Sequence, residues 1–322
     1  MKIRKLKEID LPELIKFGEE VFPDRKSYYS SLINFVLKNR IDGYTGGVGL
    51  FDGDKICGQS LFTQMTLWHR GIKEISGWGY ELIVKEELRM DSWGLEVMME
   101  SRRIFPNTCA TGSGPLALKL NLKLGNKLIG EIRKYVGLTS LSLSSILAIL
   151  PKGKIPENVD GFRLIKFPED FKTKNYFNFN LIEAGRDSDF IKWRYFTAGF
   201  KKYYVYQNDS GEYFVVRTIK QKGFRMLLLL DFRCDLSSEE PFRNILKAVK
   251  KIAIKVHDPF ILCGSSHKIV DSILEEKHFK SIGRPRPIIV GKKFMEWIDK
   301  EKIENRDFAL ITLADSDGEW SW

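Results

Sequence analysis

The chain has 322 residues, 43% of them hydrophobic and 29% charged, enough apolar content for two cores and too much for a disordered polymer. Its net charge of +10 points to anionic partners, yet the basic runs RKLK, KTK, KKY and KAVKK are short and interleaved with apolar positions, unlike a nucleic-acid-binding stripe. The apolar stretches are far shorter than a membrane span, and the charged start MKIRKLKEIDL lacks a signal-peptide core, so a cytoplasmic protein is expected.

In chain order, Lys2–Lys5 reads as a strand, and Leu11–Val21 and Ser27–Lys38 read as amphipathic helices. Asp52-Gly53-Asp54 is a hairpin turn between strands Val48–Phe51 and Lys55–Thr66. After Trp68-His69-Arg70-Gly71 the chain resumes as strand Gly77–Val84, then helix Leu95–Arg103, strand Thr108–Thr111, helix Pro115–Leu124 and strand Lys127–Val136. Pro151–Gly161, with two prolines and two glycines, reads as a linker. Beyond it come a hairpin (Tyr203–Gln207, Glu212–Lys220), an apolar strand Arg225–Phe232, helix Ser238–Val256, strand Phe260–Cys263, helix Lys268–Lys277 and strand Ser281–Val290. The fold class is therefore α/β with mixed α+β sheets. The domains expected are 1–150 and 162–322, joined by 151–161.

The halves read as copies. LGNKLIGEIRKYV (Leu124–Val136) lies over KHFKSIGRPRPII (Lys277–Ile289) at a constant offset, 283 − 130 = 153, which sets Ile129-Gly130 on Ile282-Gly283 and Lys127 on Lys280. Cys57, Cys109, Cys234 and Cys263 are scattered, without the spacing of a zinc site or a disulfide framework, and no metal is expected.

The stretch VKEELRMDSWG carries the chemistry. A strand ending at Leu82-Ile83-Val84, a short loop Arg89-Met90-Asp91-Ser92-Trp93-Gly94 and a helix start together form a phosphate cradle of backbone N–H groups. This segment and the order of elements around it resemble the GNAT superfamily of N-acyltransferases, whose signature is Arg/Gln-x-x-Gly-x-Gly/Ala after the fourth strand. Arg89 and Gly94 match its ends, and Ser92 stands at the first glycine. The resemblance implies two tandem GNAT-like domains, an acyl-CoA co-substrate (acetyl-CoA or a hydroxyacyl-CoA) held by Arg89–Gly94, and a pantetheine arm along Leu82, Ile83 and Val84. Asn121 occupies the place of the family's usual tyrosine acid, and an amide is a poor proton donor. The second half, reading Asp231-Phe232-Arg233-Cys234-Asp235-Leu236 at the corresponding point, lacks the loop.

Amine acylation needs a neutral amine, so Glu81 in the fourth strand and His69 just before it are candidate bases. Strand alternation sets Glu81 opposite Tyr80 and Leu82, and His69 beside Arg70-Gly71 reads as an exposed turn histidine. Trp193, Arg194 and Tyr195, with Asp315 and Asp317, resemble pieces of tandem-GNAT sugar N-acyltransferases. Those enzymes act on dTDP- or UDP-linked amino sugars in polysaccharide synthesis, which implies a nucleotide-linked amino sugar as partner. The same five residues also read as core and turn-capping positions. A peptidoglycan-type aminoacyl transferase and a non-catalytic binding protein on a decayed GNAT fold are the alternative readings.

Overall fold

The structure is a computed structural model. It describes residues 1–37, 43, 45–174, 177–178, 180–221, 223–291, 294 and 309–315. The chain forms two compact units. One comprises Met1–Leu67, Lys73–Ile129 and the segment from Pro287; the other comprises Trp68–Ile72, Gly130–Arg286 and the segment from Asn305.

The first unit runs β1 (Lys2–Lys5), α1 (Leu11–Val21), α2 (Lys26–Leu37), β2 (Gly46–Asp52), β3 (Lys55–His69), β4 (Ile72–Val84), α3 (Trp93–Ile104), β5 (Thr108–Thr111) and α4 (Pro115–Lys123). The antiparallel pairs β1–β2 and β2–β3 follow from short connections. β4 and β5 are parallel because α3 carries the chain back between them. α3 packs on β1 and β2. Val48, Leu50, Cys57, Phe62, Val84, Val97 and Phe105 form a core cluster in this unit. Gly18 of α1 admits the ring of Tyr29 from α2, since a Cβ there would lie 1.9 Å from the ring.

The chain leaves the first unit within β6 (Lys127–Leu138), and the second unit continues with α5 (Ser144–Ile149), β7 (Asn158–Val159), β8 (Phe162–Ile165), β9 (Ile182–Ala184) and α6 (Ser188–Ile191). A π-helical turn, Lys192–Phe196, extends α6. Then come β10 (Tyr204–Gln207), β11 (Tyr213–Gln221), β12 (Phe224–Arg233), α7 (Glu240–Val256), β13 (Phe260–Ser265), α8 (Lys268–Glu276) and β14 (Lys280–Ser281), and later β16 (Ala309–Leu310). The sheet order is β6-β13-β12-β11-β10-β8-β7, with β12 and β13 parallel. α7 buries Phe242, Ile245, Leu246, Val249, Ile252, Ala253 and Val256, the spacing of one helical face, onto this sheet's core. No described helix is long and apolar enough to cross a membrane.

The division of the chain differs from a cut at residue 150. β6 pairs antiparallel with β13 in the second unit. The strand near the far end of the chain, β15 (Arg286–Val290), pairs antiparallel with β5 in the first. Each half thus gives a late strand to the other unit's sheet, and the two segments that align at the 153-residue offset overlap these exchanged strands. Both alignment glycines sit at positive φ, Gly130 at 156° and Gly283 at 67°.

Residues 151–161 are likewise no linker between units. They lie within the second, where Gly153 N–H donates to Val256 O at 3.1 Å and Tyr206 OH to Pro156 O at 2.5 Å. A Cβ on Gly153 would lie 2.0 Å from the Lys255 carbonyl oxygen. Gly153→Ala should therefore lower stability in urea unfolding by about 1–3 kcal/mol, as overpacking does; an unchanged midpoint would mean that the segment does not pack on α7.

Candidate acyl-CoA site

The site is built where β4 outruns β5. The two pair only over Gly77–Gly79 and Thr108–Ala110, whereas β4 runs on from Tyr80 to Val84. At Glu81 the backbone turns to φ = 51°, a conformation that L-residues rarely adopt within a strand. The simple alternation expected around Glu81 is therefore interrupted. β4 still follows β3 to its end, with Lys85 N–H donating to Cys57 O at 2.8 Å and Gly58 lying against Val84 and the Ile83 carbonyl. On the other side, β5 ends at Thr111 and the chain turns away through Gly112, at φ = 72°. β4 thus runs past the end of the β5 ladder at Leu82 and Ile83, toward the carboxyl ends of two parallel strands, where open α/β sheets usually bind their ligands. Leu82 is exposed and Val84 buried, with its carbonyl taking Arg89 Nε at 3.4 Å.

Glu81 is engaged. Arg25 Nη1 donates to Oε1 at 2.7 Å, Tyr29 OH to Oε2 at 2.6 Å and Gln59 Nε2 to Oε2 at 3.1 Å. The Glu81 side chain is 2% exposed. Burial, then the Glu81 charge, pushes the Tyr29 hydroxyl far above the ordinary tyrosine range, so it stays a donor. This carboxylate's bonds are thus taken up by a guanidinium, a phenol and an amide. Its evident work is to hold the break in β4 and to tie α2 to that strand.

Two helix starts follow β4 and β5 in the chain. α3 begins after a 3-10 turn at Glu86–Leu88 and has no side-chain cap, because Ser92 Oγ donates to Glu96 at 2.6 Å rather than accepting from the helix. α4 begins at Gly114, also without a side-chain cap. The first-turn N–H groups of both helices suit an anion. Arg89 and Met90 are exposed on the loop, as are Asp91 and Ser92, while Trp93 packs against the core. Gly94 has room for a Cβ, its nearest neighbour being Val84 at 4.0 Å. Glu96 places an acidic group in the first turn of α3.

The other sequence candidates lie elsewhere. Asn121 is built into the end of α4: its Oδ1 accepts from Arg102 (3.0 Å) and Asn126 (2.8 Å), and its Nδ2 donates to Ala117 O (2.8 Å). His69 is buried, 2% exposed, and not an exposed turn histidine. The β3–β4 tip at Trp68–Ile72 belongs to the second unit.

In the second unit, Arg194 and Tyr195 lie in the interior, and Trp193 packs edge-on against Phe190. Tyr195 OH donates to Asp231 Oδ2 at 2.6 Å, as does Tyr213 OH at 2.9 Å. Arg186 Nε (2.8 Å), Arg233 Nη1 (2.9 Å) and Thr312 Oγ1 (2.9 Å) also bond this carboxylate. Burial alone would raise the Asp231 carboxyl, but Arg186 and Arg233 outweigh it and hold the group well below the usual carboxylate range. Asp315 accepts from Arg186 at 2.5 Å and caps its own turn through Thr312 N–H at 2.9 Å. Asp317 lies outside the described residues. The segment Ala309–Asp315 occupies the ends of β12 and β13, with Thr312 bridging Ser265 and Leu313 lying against Gly264. The ends of the second unit's parallel strands are thus covered by its own chain.

No family model matches the sequence, and no curated protein matches it. Solved structures do resemble it. A GCN5-related N-acetyltransferase from Anabaena variabilis aligns with a TM-score of 0.61 at 11% identity, over 90% of this chain and 72% of that one. A probable N-acyltransferase from Enterococcus faecalis aligns at 0.57 and 10% identity, over 90% and 71%. The fold is that of the GCN5-related N-acetyltransferases. Saccharomyces cerevisiae N-myristoyltransferase, solved with bound myristoyl-CoA, shares it at a TM-score of 0.54 and 11% identity, over 90% of this chain and 82% of that one.

Within this GCN5-related fold, sequence reading missed Arg25, Tyr29 and Gln59, which lie far from Glu81 in sequence. It also missed Gly112 and Gly114, for which the run Thr-Gly-Ser-Gly-Pro before a helix was the available signal. Glu81→Ala should destabilise the protein by about 2–3 kcal/mol by leaving Arg25 without its carboxylate, below the full value for a buried pair because Arg25 keeps some water. Glu81→Gln should lose about 1 kcal/mol. A Glu81→Ala variant with wild-type urea stability would contradict the clamp.

Proposed function

We propose that the chain is an acyl-CoA-dependent N-acyltransferase with one acyl-CoA site, in the first unit. The observation that supports this reading is the run of β4 past the end of β5 at Leu82 and Ile83, with the starts of α3 and α4, which lack side-chain caps, following in the chain. The pyrophosphate would meet the N–H groups at the start of α3 and the Arg89 guanidinium. The pantetheine arm would add to the free edge of β4 at Leu82 and Ile83, as a strand would. An acceptor amine attacks the thioester carbonyl, the C–S bond breaks, and CoA leaves as the thiolate. Backbone N–H groups near the break at Glu81 would stabilise the oxyanion. With Glu81 and Asn121 held in structural bonds, the amine's proton passes to water.

The two halves are read as a duplicated GNAT-like domain, supported by the sequence offset and the reciprocal exchange of late strands. In the second copy the covered strand ends leave no room for a second CoA. We propose a dTDP- or UDP-linked amino sugar as the acceptor, in agreement with the +10 charge and the family resemblance. Recognition of that sugar does not run through Arg194, Tyr195 or Asp315, which are interior.

Thiol release from acetyl-CoA, followed with a disulfide dye across a panel of nucleotide-linked amino sugars and simple amines, tests the activity. Release with an amino sugar is expected, and no release with any amine would contradict the reading. The loop has a test of sign. Arg89→Ala should weaken acetyl-CoA binding about tenfold, the loss of one charge-assisted contact. Glu96→Gln should tighten it about two- to fivefold, by removing a negative charge from the first turn of α3. Equal effects of the two changes in calorimetry would place the pyrophosphate elsewhere.

A further inference from the structure

The second unit holds a cavity of about 270 Å³ that the acyl-CoA reading does not use. Five cations line it: Lys152, Lys201, Lys202, Arg217 and Lys220. Among the described residues, no carboxylate lines it. The cations come from separate parts of the sequence. Lys152 is brought in by the docking of Gly153 on Val256, Lys201 and Lys202 precede β10, and Arg217 and Lys220 lie on β11. Assembling like charges at one concavity raises the local potential, which favours bound anions. Arg217 is 3% exposed, with its guanidinium 5.7 Å from the centre of the Tyr203 ring. The nearby carboxylate Asp258 is engaged behind the wall, accepting from Thr218 Oγ1 at 3.0 Å and lying 3.8 Å from Arg225. The aromatic side chains of Phe200 and Tyr204 complete the lining.

We propose that this cavity is an anion site for a compact polyanion of the diphosphate class. A diphosphate can meet several of the cations at once, and a guanidinium offers a planar fork to paired oxygens. The site goes beyond the acyl-transfer reading and stands apart from it.

Calorimetry with inorganic pyrophosphate on the full chain tests it, with sulfate as the control anion and acetyl-CoA as a second ligand. Lys202→Glu/Lys220→Glu reverses two exposed charges, and Lys152→Glu reverses one on a separate segment, so that loss of fold in one variant does not decide the result. Pyrophosphate should bind more tightly than sulfate, weaken as salt rises, and lose at least tenfold in affinity in a folded variant with acetyl-CoA binding unchanged. Failure of pyrophosphate to bind, equal affinity for sulfate, or full affinity in both variants would overturn the site. Joint loss of pyrophosphate and acetyl-CoA would also overturn it, by making the cavity part of the CoA site. If acetyl-CoA fails to bind while pyrophosphate behaves as expected, only the acyl-transfer reading falls.

Discussion

A buried carboxylate in the middle of a strand shapes the candidate site. Glu81 adopts φ = 51°, and such a conformation costs an L-residue on the order of 1–2 kcal/mol. Arg25, Tyr29 and Gln59 offset that cost with three hydrogen bonds. Tyr29 can reach Glu81 only because α1 presents Gly18 where its ring passes. The first helices, the β2–β3 hairpin and the broken strand are thus one construction. Its product is an edge of β4 that β5 does not cover.

The second unit also buries a carboxylate in a strand, without the positive φ of Glu81. Its central strand carries Asp231, held by Arg186 and Tyr195 from the segment before the hairpin and by Tyr213 from the neighbouring strand. The parallel with Arg25, Tyr29 and Gln59 around Glu81 is one of chemistry and of place along the chain. The difference is Thr312 and Asp315, which bring a late segment of the chain into the charge cluster. Burying two arginines and three carboxylates is costly unless every group is matched. Burial raises the Glu183 carboxyl even with Arg233 beside it, so part of the cost remains in the structure. A strand end covered by such a cluster is committed to structure.

Much of the local structure was legible because local rules govern it. The hairpin at Asp52-Gly53-Asp54, the helix expected over Ser238–Val256 and the strand Thr108–Thr111 all emerged where sequence pattern set them. The strand exchange was not legible as such, although its two strands overlap the segments that align at the 153-residue offset. Similarity marks two sequences as copies, but pairing partners are set by which sheet offers an open edge. Pro151–Gly161 has the composition of a linker and yet packs on α7, because its glycine allows a backbone approach that composition does not reveal. The loop Arg89–Gly94 was singled out from its residues, between a strand and a helix that the structure also has. Glu81 was singled out too, but its partners Arg25 and Tyr29 lie far from it in sequence and were not legible.

The central claim is that one acyl-CoA binds beside the broken strand of the first unit. Hydrogen–deuterium exchange with and without acetyl-CoA tests it most directly, since backbone amides at Leu82–Leu95 would make the contacts. Protection confined to peptides spanning Leu82–Leu95 and the start of α4, with β12 and α7 unchanged, is the predicted result. Protection at Asp231–Glu240 in place of Leu82–Leu95, or no protection at saturating acetyl-CoA, would contradict the account.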